Sequence, residues 1–138
     1  MTELVLDSSA ALSWAFADEA TPAGDALLRE VQRGRRAWVP ALWHSEVANA
    51  MIYAKKRGRI DSAGVAKFLA TLQGLEIEVD DQTMALAWST TLGLGEAYGL
   101  SAYDAAYLEL ALRMGLPLAT LDQPLQAACA KAGVGVLL

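Results

Sequence analysis

One cysteine and one histidine are all that this chain of 138 residues holds of the thiolate and imidazole metal ligands. The lone Cys129 excludes an intramolecular disulfide and any cysteine-built zinc cage, and its place in the amphipathic run QAACAKAG marks it as a small core residue. His44 has no second histidine to work with and reads as a helix-surface or core-edge residue. No apolar run reaches the roughly 18 residues of a membrane-spanning helix. The start, MTELVLDSS, has neither the basic stretch nor the small-residue cleavage site of a secretory leader. A soluble, cytoplasmic protein without a membrane partner is expected. A Gly-rich phosphate loop, internal repeats, low-complexity tracts and linkers rich in Gly, Ser or Pro are also missing. Nothing marks a domain boundary, and residues 1–138 are expected to form a single domain.

What is present points to a globular protein. The chain is 54% hydrophobic and 20% charged, so much of it must be buried on folding. The net charge of −5 argues against a polyanionic partner, because phosphate binding needs positive potential. The distribution argues the other way. Seven of the eleven basic residues fall between positions 33 and 59: Arg33, Arg35, Arg36, Lys55, Lys56, Arg57 and Arg59. Such a run is as consistent with a solvated helix end and loop as with a patch that tracks a phosphate backbone. The tryptophans Trp14, Trp38, Trp43 and Trp88 sit within apolar runs, which favours core or interface packing. SSAALSWAF and the run through VAKFLATLQG carry apolar residues on more than one side, a pattern shared by docking faces and by buried helices.

Periodicity gives alternation. Strands are expected at ELVLD (3 to 7), AWVP (37 to 40), EIEVD (76 to 80), LATLD (118 to 122) and VGVLL (134 to 138), with helical stretches between them. Ser8, Asp61 and Ser101 suit helix N-caps, Pro22 a first turn, and Gly34, Gly58, Gly115 and Gly133 the ends of helices. The fold class that follows is α/β, a three-layer α/β/α sandwich around a mostly parallel five-stranded sheet.

In such sheets ligands bind beyond the carboxyl ends of the strands, where strand order reverses. Asp7 ends the first strand and Asp122 the fourth, so both carboxylates emerge at that edge. Asp104 lies in the first turn of the helix that begins at Ser101, on the face of Tyr107, Leu108 and Ala111. Glu109 and Arg113 are then expected on the opposite, wet face as an (i, i+4) pair. Glu46 borders the core early in ALWHSEVANAMIYAKKRG. Taken singly, each acid has an ordinary explanation as a cap or a solvated helix residue. Together, four carboxylates at one sheet edge repel, and they need raised pKa values or a bound cation. Oxygen ligands alone select a hard ion, Mg²⁺ or Mn²⁺.

VLDSSAAL, LWHSEVANAM and LSAYDAAYLELALRMGLPLATLD resemble the PIN domain, in particular its short single-domain form, the VapC toxins of type II toxin–antitoxin modules. The resemblance covers nearly the whole chain and departs from the family in TLDQPLQ, where many relatives place a further acid or an aromatic after the Asp. It implies a metal-dependent endoribonuclease that hydrolyses phosphodiester bonds in tRNA or other structured RNA to inhibit translation and growth. Asp7, Glu46, Asp104 and Asp122 would be its catalytic and metal-binding acids, and Ser9 and Thr120 would orient a carboxylate or a water. The family also implies a homodimer and a cognate VapB-type antitoxin lying across the active-site groove. RNA would run along the basic segment from Arg33 to Arg59. Two other readings stand beside this one. A phosphorylation-dependent receiver domain needs adjacent acids after the first strand and a Lys ending a late strand, and neither is present. A catalytically inactive PIN-like domain that binds RNA or protein is disfavoured by the presence of all four acids.

Overall fold

Leu4, Val5 and Leu6 are all fully buried, as in a strand covered on both faces. In the computed structural model of the protein, which describes residues 2–138, they form β1 (Leu4–Leu6) at the centre of a five-stranded sheet. The remaining strands are β2 (Ala37–Val39), β3 (Ile77–Val79), β4 (Leu118–Ala119) and β5 (Val136–Leu137). They lie in the order β3-β2-β1-β4-β5, and every pairing is parallel. The chain builds outward from β1 to β3 and then crosses to the other side of β1. The resulting reversal opens a crevice at the carboxyl ends of β1 and β4.

All five strands stand where the sequence places them, each shorter than the pattern suggests. The residues beyond them leave the ladder to start the next element. Asp7 occupies the N-cap position of α1 (Ser8–Leu12). Asp122 caps α8 (Gln123–Ala132) by accepting from the Leu125 amide at 2.9 Å. The helices between are α2 (Pro22–Gln32), α3 (Trp43–Lys56), α4 (Ser62–Gln73), α5 (Thr83–Leu86), α6 (Leu92–Tyr98) and α7 (Ala102–Met114), with a π turn over Ala87–Thr91. Asp61 and Ser101 accept from the amides of Gly64 and Asp104, at 2.7 and 3.1 Å. Ser8, expected as a cap, is instead the first helical residue, one position inside Asp7. Gly115 and Gly133 close α7 and α8 in the left-handed region, where a Cβ would be strained.

The helix α7 departs from the amphipathic expectation. Seven consecutive residues, Ala105 to Ala111, are buried, because α7 packs on β1 and β4 and is also covered by α6, the π turn and α8. Over these two turns no face is left wet, and Glu109 is 4% exposed. Its charge is met by Arg113, whose guanidinium bonds both Glu109 oxygens at 2.8 and 3.0 Å. The same group bonds both oxygens of the buried Asp80 at 3.0 and 2.7 Å. One arginine thereby ties the last turn of α7 to the end of edge strand β3.

The apolar faces also sort themselves. Every residue of SSAALSWAF is buried or half-buried, so that segment is core. Cys129 is fully buried. Trp43 is buried, Trp14 and Trp38 are half-buried, and Trp88 is 92% exposed, which removes it from the core. Among the described residues no helix is long and apolar enough to cross a membrane.

Replacing Arg113 with Met would strand two buried carboxylates. We expect a loss of about 3 kcal/mol in denaturant unfolding, and only partial recovery with Arg113→Lys, which lacks the planar fork that serves two acids at once.

Candidate active site

The site grows from the end of β1. The Asp7 amide bonds the Ala119 carbonyl at 3.0 Å, so the β1–β4 register itself brings Asp7 beside Thr120. The Asp7 carboxylate is 3% exposed. Its Oδ2 accepts from Ser9 Oγ and from Thr120 Oγ1, both at 2.7 Å. Each hydroxyl is used twice, since Ser9 Oγ accepts from the Leu121 amide and Thr120 Oγ1 from the Asp122 amide, both at 3.0 Å. This lattice joins the ends of β1 and β4 across the crevice. Burial pushes the Asp7 carboxyl above its ordinary value, and the two hydroxyl bonds only partly offset it, while Asp122 adds to the rise.

Glu46 enters from the first turn of α3. Its Oε1 accepts from the Tyr107 hydroxyl at 2.5 Å and from Ser8 Oγ at 3.3 Å. Burial raises this carboxyl, and the Asp7 charge raises it further. Tyr107 is fully buried on α7; burial first and then Glu46 raise its phenol, which holds its proton and acts as a donor. Tyr107 and Ser8 are the members that sequence reading did not assign. The signal for Tyr107 was its place three residues beyond Asp104 on one helical face.

Asp104 projects from the first turn of α7. Its carboxyl is pushed up to about 6, by burial first and then by the charges of Asp122, Asp7 and Glu46, against a smaller lowering by Ser101. The four acids therefore share one electrostatic site, drawn from β1, α3, α7 and the start of α8. Among the described residues none of the four forms an ion pair with a basic side chain.

The donor set fits a hard cation. Among the described residues Asp7 Oδ1 has only Ser8 Oγ at 3.5 Å, the Oε2 of Glu46 and the Oδ1 of Asp122 accept no hydrogen bond, and Asp104 has only the Ser101 hydroxyl nearby. Among the described residues no three acid, histidine or cysteine groups lie close enough to enclose an ion unaided. A Mg²⁺-like ion commonly takes one or two carboxylates and keeps several waters. His44 is exposed on α3 and has no part in the acid cluster.

The seven basic residues do not form one patch. Arg33, Arg35 and Arg36 lie between α2 and β2, at the amino ends of the strands and so at the edge opposite the acids. Arg35 is also engaged by Glu30 at 2.6 Å and by the Thr2 carbonyl. Arg57 and Arg59 line a groove with Ser9 and Leu121, on the acid side. Arg59 is paired there with Asp18 and Glu19 at 2.8 and 3.0 Å. The shared stretch of sequence hides this division, because α2 and α3 flank a strand whose two ends face opposite ways.

The folded value of Asp104, about 6, lies above its ordinary 3.8. The folded state binds the extra proton, so the cost of this charge is absent below about pH 4 and complete above about pH 6. In metal-free protein, Asp104→Asn should exceed the wild type in stability by about 1 kcal/mol above pH 6, after allowance for solvent screening. Thermal unfolding across pH 4 to 8 should show the difference closing as pH falls.

Comparison with known proteins places this geometry. No curated protein matches the sequence. Among solved structures, PAE2754 from Pyrobaculum aerophilum superposes with a TM-score of 0.71 at 22% identity, over 99% of this chain and 90% of that one. FitAcB from Neisseria gonorrhoeae gives a TM-score of 0.66 at 15% identity, over 98% and 96% of the two chains. A toxin–antitoxin complex from Klebsiella pneumoniae gives 0.57 at 19% identity, over 87% of each. At these identities the likeness is one of fold. The PIN domain family model matches residues 4–131, nearly the whole chain, and the protein belongs to the PIN domain family, whose members are generally metal-dependent nucleases.

Proposed function

We propose that the protein is a Mg²⁺- or Mn²⁺-dependent endoribonuclease, the toxin of a VapBC-type toxin–antitoxin module, acting in the cytoplasm on tRNA or other structured RNA to inhibit translation. One observation carries the reading. Asp7, Glu46, Asp104 and Asp122 converge on the crevice with no ion-paired basic side chain among the described residues, and burial, with the charges of the other three acids, holds Asp104 up to about 6. A folded protein keeps such a cluster at a cost, and a divalent cation removes that cost.

The side chains divide the work. Ser9 and Thr120 occupy Oδ2 of Asp7 and leave Oδ1 with only the long contact from Ser8. Tyr107 and Ser8 hold Oε1 of Glu46 in the same way. Asp122 is pinned through Oδ2 by the α8 amide. Asp104 supplies two oxygens, with the Ser101 hydroxyl nearby. When bound, a divalent ion supplies Lewis-acid polarisation of the phosphate and a more acidic water. The protein contributes carboxylates whose orientation is set before any substrate arrives.

The partner assignment rests on the resemblance to VapC toxins and on the fold shared with the Klebsiella pneumoniae toxin–antitoxin complex. A homodimer is further supported by apolar surface. Met84, Trp88 and Leu92 are 85%, 92% and 47% exposed at four-residue spacing, a row of large apolar side chains of the kind that marks interaction surfaces.

Purified protein incubated with total cellular RNA should yield discrete fragments with Mg²⁺ or Mn²⁺ and none with EDTA or in Asp7→Ala. Tyr107→Phe should lower the rate about 10- to 100-fold and raise the Mg²⁺ concentration needed for half-maximal cleavage. Absence of cleavage by folded wild-type protein under every condition would refute the assignment. In sedimentation the wild type should run as a dimer and Trp88→Glu as a monomer.

A further inference from the structure

The groove shared by Ser9, Leu121, Tyr53 and Arg57 begins beside the acid cluster. Its near end is Ser9, whose hydroxyl is already committed to Asp7 and to the Leu121 amide. Leu12, Ala50 and Ala54 add apolar lining, and Leu121 stands 40% exposed. These side chains offer no donor or acceptor with which to read the edge of a ligand. Tyr53 is 49% exposed, and its hydroxyl makes no hydrogen bond among the described residues. The ammonium of Lys56 and the guanidinium of Arg57 lie 5.6 and 5.9 Å from its ring centroid.

The two arginines of the groove are not equivalent. Arg59 stacks on Phe16 at 4.1 Å and is neutralised by Asp18 and Glu19. Arg57 has no acid partner among the described residues. Moving away from the acids, a ligand meets an apolar trough, an exposed aromatic ring and an unneutralised cation. A nucleotide has the matching sequence of parts: a flat, sequence-tolerant π surface and a phosphate beside it.

Resting on the ribonuclease reading, we propose that this groove is a nucleobase subsite next to the scissile phosphate, with Tyr53 as stacking platform and Arg57 as partner of the adjoining phosphate. The base is held by its faces, so the subsite selects unpaired nucleotides over paired ones without selecting strongly among the four bases. A preference for an unpaired base beside the cleaved bond would then come from the protein's own shape.

The test uses a single-stranded RNA oligonucleotide bound to the 138-residue protein in Ca²⁺, with one abasic site moved through successive positions, in wild type and Tyr53→Ala. One abasic position should weaken wild-type binding roughly 10-fold, Tyr53→Ala should weaken binding of the intact RNA to a similar degree, and the two changes together should cost no more than either alone. Tyr53→Phe should restore binding. Arg57→Gln should reduce the slope of log affinity against log salt by about one, whereas Arg59→Gln should not. If RNA binds and every abasic position acts equally in wild type and Tyr53→Ala, the subsite is refuted while the nuclease stands, and the groove is left to a protein segment. If the oligonucleotide does not bind at all, both fall. Binding with the expected coupling but without cleavage in Mg²⁺ would uphold the subsite and refute the nuclease.

Discussion

Charge without countercharge is the constraint around which this molecule is built. The chain places six acids in or near its core and treats them in two ways. Asp80 and Glu109 share the guanidinium of Arg113, which bonds all four of their oxygens. Asp7, Glu46, Asp104 and Asp122 pair with no basic side chain among the described residues, and hydroxyl and amide donors meet Asp7, Glu46 and Asp122. The first arrangement secures α7 against β3. The second keeps negative potential at the crevice where strand order reverses, at a cost in stability that the proposed binding of a cation would offset.

The hydroxyls that manage this charge also build the fold locally. Ser9 and Thr120 each accept an amide from the segment after β4 while donating to Asp7, so the carboxylate is oriented by the same bonds that join two neighbouring strands. Tyr107 reaches Glu46 from the most deeply buried helix, and that burial fixes where the phenol points. An oxygen of each of these two acids is occupied in advance, which leaves the other with a defined direction. Preorganisation here comes from core packing and a parallel register, with little reliance on mobile loops.

Much of this was legible from local chemistry. The five strand positions, the caps at Asp61 and Ser101, the terminating glycines Gly115 and Gly133, and the core role of Cys129 depend on a few neighbouring residues and on short-range sterics and hydrogen bonding. Strand lengths were read too long because an Asp at the end of an apolar run looks like its last member, while its side chain or position starts the following helix. Glu109 was misplaced because a helical wheel assumes one wet side, and α7 is covered by the sheet and by α6. Trp88, expected in core or interface packing, lies outside the core, because a short, π-interrupted helix leaves its indole 92% exposed.

The linear order of residues set the local elements, the alternation of strand and helix, and hence the parallel sandwich with acids at its carboxyl edge, because each of these follows from periodicity, capping and the handedness of crossovers. Tertiary structure alone decided which charges meet. It brought residues 7, 46, 104 and 122 into one electrostatic site, paired Arg113 with an acid 33 positions away, and sent Arg33 and Arg57, neighbours in a single basic stretch, to different ends of the sheet. Electrostatic energy depends on distance through space and on burial, and neither quantity is carried by position along the chain.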